Sequence, residues 1–392
     1  MGGPLRTAHH LDHLPPHESD TMTLARAVPP AADIAAIARG SLDVILRFQD
    51  ASGAYPASPT FSAYRGYSWF RDGAFIADAA SAAGAAESAD RFFDWCSRML
   101  TDRADQVERI VGSAASGHPA PDAEMLDTRF TLDGRHGDAD WWDFQLDGYG
   151  TWLWAVDEHA RRHGTDLSRW SAGIELSVRY LLSSWRRPCF DWWEEHSEQV
   201  HVSTLGCIAA GLRAVAPSLP HDLGEAARAA VADILDLIES EGLVEGHLAK
   251  WLGSGDVDAS ALALVSPLRL YPAGTAIGSA TVAAVAAELS VDGGVHRFAA
   301  DTFYGGGQWP LLSSFLGLCF ADAGDRRRAQ AQLAWAAGTV TPEGELPEQV
   351  DDHLLFPERR QEWIDRWGTV ATPLLWSHAM VLRLAVELGV EL

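Results

Sequence analysis

The feature of this sequence that most constrains its fold is a set of helical segments that are apolar around most of their circumference. Residues 205–215 and 281–289 are apolar over far more than one stripe, so helices formed there must be buried on two sides. Other segments, such as 31–48 and 223–238, carry a single apolar stripe. We count ten to twelve helical segments and find no βαβ alternation. Together these patterns predict an all-α protein in which an outer ring of helices covers an inner ring.

The last helix of the chain has recognisable terminal residues. Thr372 is predicted as its N-cap and Pro373 as its first residue, because a Thr hydroxyl caps free backbone N–H groups and proline has none to lose. Gly389 is predicted to follow this helix, since glycine readily adopts the left-handed conformation that ends one. By contrast, residues 102–138 show little periodicity and many Gly, Pro and Asp, which predicts a long loop.

The composition indicates one domain. A length of 392 residues could form two or three ordinary domains or one large barrel. No linker-like stretch occurs later in the chain, so residues 31–392 are expected to form a single domain. Residues 1–30 are rich in His and Pro, lack the features of a signal peptide and are expected to be a disordered tail. No run of 18 apolar residues predicts a membrane span.

The charge and the cysteines narrow the possible partners and location. The net charge of −24 at pH 7 disfavours nucleic acid and anionic lipid as partners and suits a small neutral ligand. The four cysteines are far apart, which favours free thiols and a cytoplasmic location. His247, His296 and His378 are too scattered for a zinc site, so we expect no metal and no cofactor. A monomer is the expected state.

Two acidic motifs, far apart in the chain, indicate the chemistry. Residues 191–195 read Asp-Trp-Trp-Glu-Glu, and residues 346–349 read Leu-Pro-Glu-Gln. Acid-base cleavage of a glycosidic bond needs one carboxyl group held protonated and a second ionised on the opposite face of the sugar. Indole rings stack on the apolar faces of sugars, and the chain has 16 Trp. The sequence therefore indicates a carbohydrate-active enzyme.

A first candidate sugar-binding loop spans residues 64–73. Its adjacent arginine and aspartate supply a planar donor fork and an acceptor pair, which together can hold vicinal hydroxyl groups. The alternative is a surface ion pair at a helix start, with the aspartate in the first turn. The aromatic neighbours favour a substrate pocket, with the candidate residues Tyr67, Trp69, Arg71 and Asp72.

Two further loops combine aromatic and polar side chains. The paired Trp141 and Trp142 suggest a stacking platform; we favour this role for Trp141, whereas Trp142 fits packing against a helix end equally well. Residues 295–310 contain Arg297, Trp309 and three consecutive glycines that let the backbone approach a ligand closely. The Gly-Lys-Ser/Thr ending of a phosphate-binding loop is missing there.

These blocks occur in the order of the glucoamylase family, glycoside hydrolase family 15, which the chain resembles from about residue 64 to about residue 384. No single block is specific for this family, but the occurrence of all the blocks in the family's order is. The blocks that carry the resemblance are Tyr67–Asp72, Gln145–Gly150, Asp191–Glu195, Arg297–Trp309, Pro347–Gln349 and Trp376–Ala379. The resemblance implies an (α/α)6 barrel with the site at one end, which agrees with the helix count.

The resemblance also implies roles for individual residues. Glu194 takes the role of general acid and Glu348 that of general base, with carboxyl groups roughly 6.5–9.5 Å apart. Like charges nearby and burial between tryptophans are expected to keep Glu194 protonated, whereas Glu348 needs donors or solvent to remain ionised. Gln349 is expected to orient Glu348 or the attacking water. Further implied sugar-binding residues are Trp193, Glu195, Arg297 and Trp309.

The implied activity is that of an exo-acting, inverting α-glucoside hydrolase. It would release β-glucose from the non-reducing end of short α-1,6-linked gluco-oligosaccharides such as isomaltose, because small family members without a β-sandwich domain include enzymes acting on isomaltose. An α-1,4 glucoamylase, a trehalase and a catalytically silent sugar-binding domain remain alternatives. The presence of both Glu194 and Glu348 argues against the silent domain, which needs no acid-base pair.

Overall fold

The computed structural model describes residues 31–137, 141 and 144–392. The predicted tail and Trp142 lie outside the described residues. Within them the α-helices are α1 Ala31–Phe48, α2 Phe70–Ala82, α3 Ala86–Thr101, α4 Ala104–Ala115, α5 Asp147–His163, α6 Ser171–Ser184, α7 Val202–Val215, α8 His221–Glu241, α9 Leu262–Val265, α10 Ala276–Glu288, α11 Pro310–Asp322, α12 Arg326–Ala337, α13 Arg360–Trp367 and α14 Leu375–Glu387.

Short strands form three antiparallel ribbons between the helices of the described chain. They are β1 Tyr67–Trp69 with β2 Arg129–Thr131, β3 Leu243–Val244 with β4 His247–Leu248, and β5 Ser290–Val291 with β6 Gly294–Val295. Strands of two or three residues add little core, so the fold depends on helix packing.

The helices form two concentric rings. The inner ring runs α2, α5, α7, α9, α11 and α14, and α14 contacts α2 to close it. The outer helices α3, α6, α8, α10, α12 and α1 pack on these inner helices in the same order. The prediction of an all-α (α/α)6 barrel is therefore confirmed. Because each connection from an outer to the next inner helix returns to the same end of the barrel, these connections gather there.

Burial follows the two rings, with one exception to the sequence prediction. The inner helix α7 buries every residue from Val202 to Leu212, whereas the outer helix α8 buries one stripe that includes Ile234 and Ile238. The prediction of two-sided burial was wrong for residues 281–289. They belong to the outer helix α10, whose apolar character comes largely from alanines, and Ala283 and Ala287 are exposed. An exposed alanine methyl group costs little free energy. Alanines on the solvent side of a helix therefore give the same apolar sequence pattern as a buried face.

Two predicted boundaries were also wrong. Residues 102–138 are not a continuous loop, because they contain α4 and β2. Only Val107 and Ile110 of α4 are buried, which leaves too weak a stripe to detect in the sequence. The last helix begins at Leu375 rather than Pro373, since the N–H groups of Leu374 and Leu375 donate to Leu346 and Ala57 instead of entering a helix. In the described chain no helix is long and apolar enough to cross a bilayer.

The inner ring closes tightly because two glycines let α5 and α7 touch backbone to backbone. A Cβ atom at Gly211 would stand 2.2 Å from the carbonyl oxygen of Gly150, and one at Gly150 would stand 2.5 Å from the carbonyl oxygen of Cys207. Real Cβ atoms do not approach backbone so closely, so a larger residue must push the helices apart. We predict that Gly211→Ala lowers the free energy of unfolding by about 1–3 kcal/mol or more, measured by chemical denaturation.

Gly40→Ala is the matched control for this prediction. Gly40 lies inside α1, and a Cβ atom there would meet nothing within 4 Å. Alanine should therefore stabilise the helix by roughly 0.5–1 kcal/mol. Equal effects of the two substitutions would contradict close packing as the reason for Gly211.

Candidate active site

A cavity lies at the end of the barrel where the inner helices begin. Trp69 and Arg71 reach it from the start of α2, Trp309 from the residue before α11 and Trp376 from the first turn of α14. The connections before α2, α5, α7 and α11 and the one after α12 supply the remaining walls. Eight of the 16 tryptophans line this cavity, which is the concentration of indole rings expected of a sugar pocket: Trp69, Trp141, Trp192, Trp193, Trp309, Trp363, Trp367 and Trp376.

All but one of the residues predicted for the site line this cavity. The exception is Tyr67, whose ring packs on the guanidinium of Arg129 at 3.8 Å. Arg129 in turn lies 3.8 Å from the ring of Trp141, so Tyr67 supports the cavity wall from behind. The residues that the structure brings together are Trp69, Arg71, Asp72, Trp141, Trp193, Glu194, Glu195, Arg297, Trp309 and Glu348.

Several lining residues were not assigned to the site from the sequence. Trp363 and Trp367 lie on the short helix α13, at a spacing of four residues that puts both rings on one helix face. This aromatic pair inside a polar segment was the available signal. Tyr64 and Phe303 stand within blocks that were noticed but carried no assignment. The remaining additions are Ala57, Phe61, Ala63, Trp192, Leu374 and Trp376.

Glu194 stands on a tight turn between α6 and α7 with an unusual backbone conformation. Its φ of 64° lies in the left-handed region that non-glycine residues seldom adopt. Its Oε1 accepts hydrogen bonds from the indole N–H of Trp69 at 2.9 Å and the amide of Gln145 at 3.2 Å. Burial raises the pKa of Glu194, although the charge of Arg71 and these hydrogen bonds oppose the shift. The carboxyl group is therefore a candidate proton donor.

The like charges expected to assist Glu194 are neutralised by other partners. Asp191 lies 3.1 Å from the ammonium of Lys250, and Glu195 lies 3.2 Å from the guanidinium of Arg297. The largest charge effect on Glu194 comes from the cation of Arg71, which lowers its pKa rather than raising it. Desolvation, and not repulsion, is what raises the pKa of Glu194.

Glu348 lies in the connection that follows α12, and 2% of its surface is exposed. Its Oε1 accepts a hydrogen bond from the hydroxyl of Tyr64 at 2.9 Å, while no protein group in the described chain hydrogen-bonds its Oε2. Burial raises the pKa of Glu348 to about 8, against the opposing effects of Tyr64 and Arg297. The sequence predicted the ionised partner here, and the raised pKa means that Glu348 needs further donors or solvent to remain ionised.

The orienting role of Gln349 stays a prediction, because its Nε2 hydrogen-bonds no protein group in the described chain. Its Oε1 accepts a hydrogen bond at 2.9 Å from the backbone N–H of Gly307, in the glycine-rich segment before α11. A Cβ atom at Gly307 would stand 2.5 Å from that oxygen, so the glycine is required for this close approach. Gln349 thus ties the Glu348 segment to the loop that carries Trp309.

Arg71 and Asp72 occupy the first turn of α2 at the base of the cavity. The guanidinium of Arg71 donates to Gln145 at 2.7 Å and to Asp147 at 3.0 Å, which fixes it in place. Burial raises the pKa of Asp72 to about 6, although the charge of Arg71 opposes the shift. Its Oδ2 lies 3.5 Å from the Nε of Arg71, and neither atom has a hydrogen-bond partner among the described groups. The pair thus combines an acceptor and a donor, which are the groups that sugar hydroxyls need.

Three cations neutralise the other acidic groups around the cavity. Arg71 lies against Asp72 and Asp147, Arg297 against Glu195 and Asp301, and Lys250 against Asp191 and Asp258. Among the described ion pairs none involves Glu194 or Glu348. Two buried carboxyl groups without a cation partner, in one aromatic cavity, are the arrangement that acid-base cleavage of a glycosidic bond requires.

The fold and this pair of carboxyl groups define the class as glycoside hydrolases, and the comparisons agree. Residues 33–246 match the family described as glycosyl hydrolases family 15. The chain is 55% identical over 361 residues to isomaltose glucohydrolase of Kribbella flavida. The aligned region covers 90% of this chain and 92% of that protein. The protein therefore belongs to glycoside hydrolase family 15.

Solved structures support the same assignment. A glycosidase variant in complex with glucose superposes with a TM-score of 0.90 at 54% identity, over 92% of this chain and 98% of that one. The glucoamylase from Saccharomycopsis fibuligera superposes with a TM-score of 0.69 at 14% identity, over 94% of this chain and 98% of that one. The second likeness concerns the fold alone.

The hydrogen bond from Tyr64 to Glu348 gives a testable pH dependence. If Glu348 works as an ionised base, kcat/KM falls as pH drops through its pKa, and we expect this limb above the ordinary value of 4.5. Tyr64→Phe removes a donor that stabilises the carboxylate, so the pKa of Glu348 rises and the limb moves to higher pH. Activity at the parent's optimum should fall roughly tenfold, about 1.4 kcal/mol. The measurement is a pH profile of kcat/KM.

Tyr271→Phe removes a buried hydroxyl outside the cavity and is the control. It should leave the pH profile where it is. A Tyr64→Phe profile superimposable on the parent's would contradict the assigned influence on Glu348.

Proposed function

We propose that the protein is an exo-acting, inverting α-glucosidase that releases β-glucose from the non-reducing end of short α-1,6-linked gluco-oligosaccharides, with isomaltose as the representative substrate. The observation that carries the proposal is the pair Glu194 and Glu348, the two acidic groups of the cavity wall without an ion-pair partner in the described chain. The linkage is inferred from the isomaltose glucohydrolase of Kribbella flavida, given the 55% identity.

In this proposal Glu194 protonates the glycosidic oxygen. Neutral donors hold its carboxyl group, among them the indole of Trp69 and the amide of Gln145 at Oε1. In this proposal the second oxygen carries the proton toward the leaving sugar. The same donors, together with the charge of Arg71, stabilise the carboxylate that forms as the proton leaves.

Glu348 activates water on the opposite face of the terminal glucose. Tyr64 fixes Oε1, which leaves Oε2 as the atom that accepts the proton of the water. In the free site burial raises the pKa of Glu348 to about 8. The productive form has the proton on Glu194, so the water and sugar hydroxyl groups must donate to Glu348 and lower its pKa. Substrate binding thus prepares the acid and the base together.

The terminal glucose is held at the base of the cavity. Arg71 and Asp72 offer an unused donor and acceptor there, and the ring of Trp376 lies 5.7 Å from the guanidinium of Arg71. Trp376 itself stacks on Phe75 with an interplanar angle of 11°. A floor fixed in this way binds one sugar ring and does not let a chain pass through, which suits an exo-acting enzyme.

The next sugar meets a second group of side chains. Arg297 lies between the rings of Trp193, Phe303 and Trp309, at 5.1 to 5.5 Å from their centroids. Glu195 keeps part of its carboxyl group exposed beside it. We assign Arg297 and Glu195 to the leaving sugar, where they discriminate between linkages.

Helix α13 limits the length of the substrate. Trp363 packs on Phe303 with ring centroids 4.8 Å apart, and its indole N–H donates to the carbonyl oxygen of Thr302 at 2.9 Å. Trp367 packs against Phe61, across the cavity mouth. The aromatic wall leaves little room beyond a second sugar, so extra rings contribute no binding energy.

We further propose that the enzyme works as a monomer on disaccharides in the cytoplasm. The four cysteines are all buried and unpaired, as suits a reducing compartment. Cys96, Cys189 and Cys319 have pKa values raised by burial, which keeps them unreactive.

We predict that Glu194→Gln and Glu348→Gln each reduce kcat for isomaltose roughly 10²–10⁴-fold with little loss of folding stability, because the amide keeps the shape of the carboxyl group but cannot exchange its proton. Glucose release measures the activity. Either variant retaining turnover within tenfold of the parent would remove that residue from its role.

Two exposed glutamates are matched controls. Glu198→Gln alters a neighbour of the acid motif, and Glu343→Gln alters the connection that leads to the base. Both should keep parental turnover. In the same assay, early proton NMR spectra of the parent should show β-glucose; α-glucose released first would mean retention and would exclude Glu348 as the base.

We predict that kcat/KM for isomaltose exceeds that for maltose and trehalose, and that isomaltotriose gains nothing over isomaltose. Trp363→Ala opens the wall at α13, so it should raise the ratio of isomaltotriose to isomaltose severalfold. Initial rates on the four sugars give these ratios.

Trp335→Ala, outside the cavity, is the control and should leave the ratios unchanged. Preference for maltose by more than tenfold would favour an α-1,4 glucoamylase instead. Preference for trehalose would favour a trehalase, and the absence of glucose release from every sugar would favour a silent sugar-binding domain.

A further inference from the structure

The turn that carries Glu194 is held almost entirely by Asp191. The backbone N–H of Asp191 donates to Glu195 at 3.1 Å, and its carbonyl oxygen accepts from the N–H of Glu194 at 3.0 Å. Its side-chain Oδ1 accepts from the N–H groups of Trp193 and Glu195, both at 2.9 Å. These contacts stabilise the left-handed conformation of Glu194, which costs energy in a non-glycine residue.

The other carboxylate oxygen of Asp191 binds a buried lysine. Lys250, which follows β4, places its ammonium 3.1 Å from Oδ2 of Asp191 and 2.5 Å from Oδ2 of Asp258. The ring of Phe298 covers the same ammonium at 3.8 Å. Asp258 also accepts the indole N–H of Trp193 at 3.0 Å. The contacts run from Asp191 to Lys250, from Lys250 to Asp258 and from Asp258 to Trp193. They therefore form a closed ring that begins and ends on the turn carrying Glu194.

The charge balance of this ring depends on the lysine. Burial by itself would lower the pKa of Lys250, but the two aspartates raise it, so the ammonium remains charged. Burial would likewise raise the pKa of Asp258, but Lys250 holds it below its usual value. Without the lysine, two carboxylates would remain buried side by side with no cation between them. At least one would take up a proton or turn outward.

Lys250 itself does not touch the substrate cavity. It is 4% exposed and stands behind the wall formed by Trp193 and Glu195. Its backbone carbonyl also accepts from Val202, the first residue of α7, which ties the lysine to the start of an inner helix. A substitution of Lys250 can therefore affect catalysis only by altering the turn that carries Glu194.

We propose that Lys250 is a positioning residue, which locks Asp191 and Asp258 together and so fixes the orientation of Glu194 toward the glycosidic oxygen. The inference rests on the proposed role of Glu194 as general acid. It predicts a particular defect: loss of Lys250 should impair protonation of the leaving group more than binding of the terminal glucose.

Two substrates distinguish this defect from general damage. The alkoxide that leaves isomaltose needs a proton from the acid, whereas the fluoride ion that leaves α-glucosyl fluoride needs little help. Lys250→Met keeps the length of the stem and removes the charge. We expect kcat for isomaltose to fall at least thirtyfold and kcat for α-glucosyl fluoride to fall less than threefold, with KM for the fluoride unchanged.

Three variants calibrate the result. Arg383→Met breaks another largely buried ion pair, with Asp78 at 3.1 Å, and should leave the ratio of the two rates at the parental value. Lys250→Arg keeps the charge and should restore most of the ratio. Glu194→Gln tests the proposed function separately: if it loses both activities alike, Glu194 is not the acid, whatever Lys250 does.

Equal losses on both substrates in a folded Lys250→Met protein, or no loss on either, would overturn the positioning role. If Lys250→Met does not fold, Asp258→Asn provides the test, because it keeps the side-chain shape and leaves Asp191 to pair with the lysine. Its ratio of isomaltose to fluoride turnover should fall at least threefold. An unchanged ratio in Asp258→Asn would overturn the proposal equally.

Discussion

The site depends on burying many acidic side chains among indole rings while neutralising all but two of them. Removal from water raises the free energy of each carboxylate by several kcal/mol unless a cation or hydrogen-bond donors compensate. Arg71, Arg297 and Lys250 each compensate two carboxylates. Glu194 and Glu348 receive neutral donors instead, among them Trp69 and Gln145 for Glu194 and Tyr64 for Glu348. The position of the cations therefore leaves these two acids of the cavity wall without an ion-pair partner in the described chain.

This distribution changes how the acid and the base are distinguished. Sequence reasoning assumed that local charge would mark Glu194 as the protonated partner. Instead, Arg71 favours the anionic form of Glu194, and burial raises the pKa of both carboxyl groups, that of Glu348 to about 8. The charge of Glu194 also raises the pKa of Glu348. The proposed roles of acid and base therefore do not follow from the charges of the free site.

The sequence predicted those parts of the structure that local patterns encode. The stripe of α8 and the buried helix α7 implied two rings, and motif order located Arg71, Glu194 and Glu348 in one cavity. It could not reveal Lys250, because a lone lysine after a two-residue strand carries no local signal. Trp363 was missed because helix α13 is short and polar. Tyr67 was assigned to the cavity because its sequence neighbours reach it, but its ring packs on the guanidinium of Arg129 instead of lining the cavity.

The contact between Gly150 and Gly211 has a consequence for how such an enzyme can diversify. Glu194 and Glu348 belong to different connections, so the gap between them is set by the circumference of the inner ring rather than by either loop. Loop sequences can then vary to accept new sugars while the spacing that dictates inversion stays constant. A substitution that widens the α5–α7 contact would act in the opposite way, since it would disturb stereochemical outcome and turnover from a position that no sugar ever reaches. Changes in sugar specificity thus arise in the loops, whereas changes in stereochemical outcome arise in the packing of the inner helices.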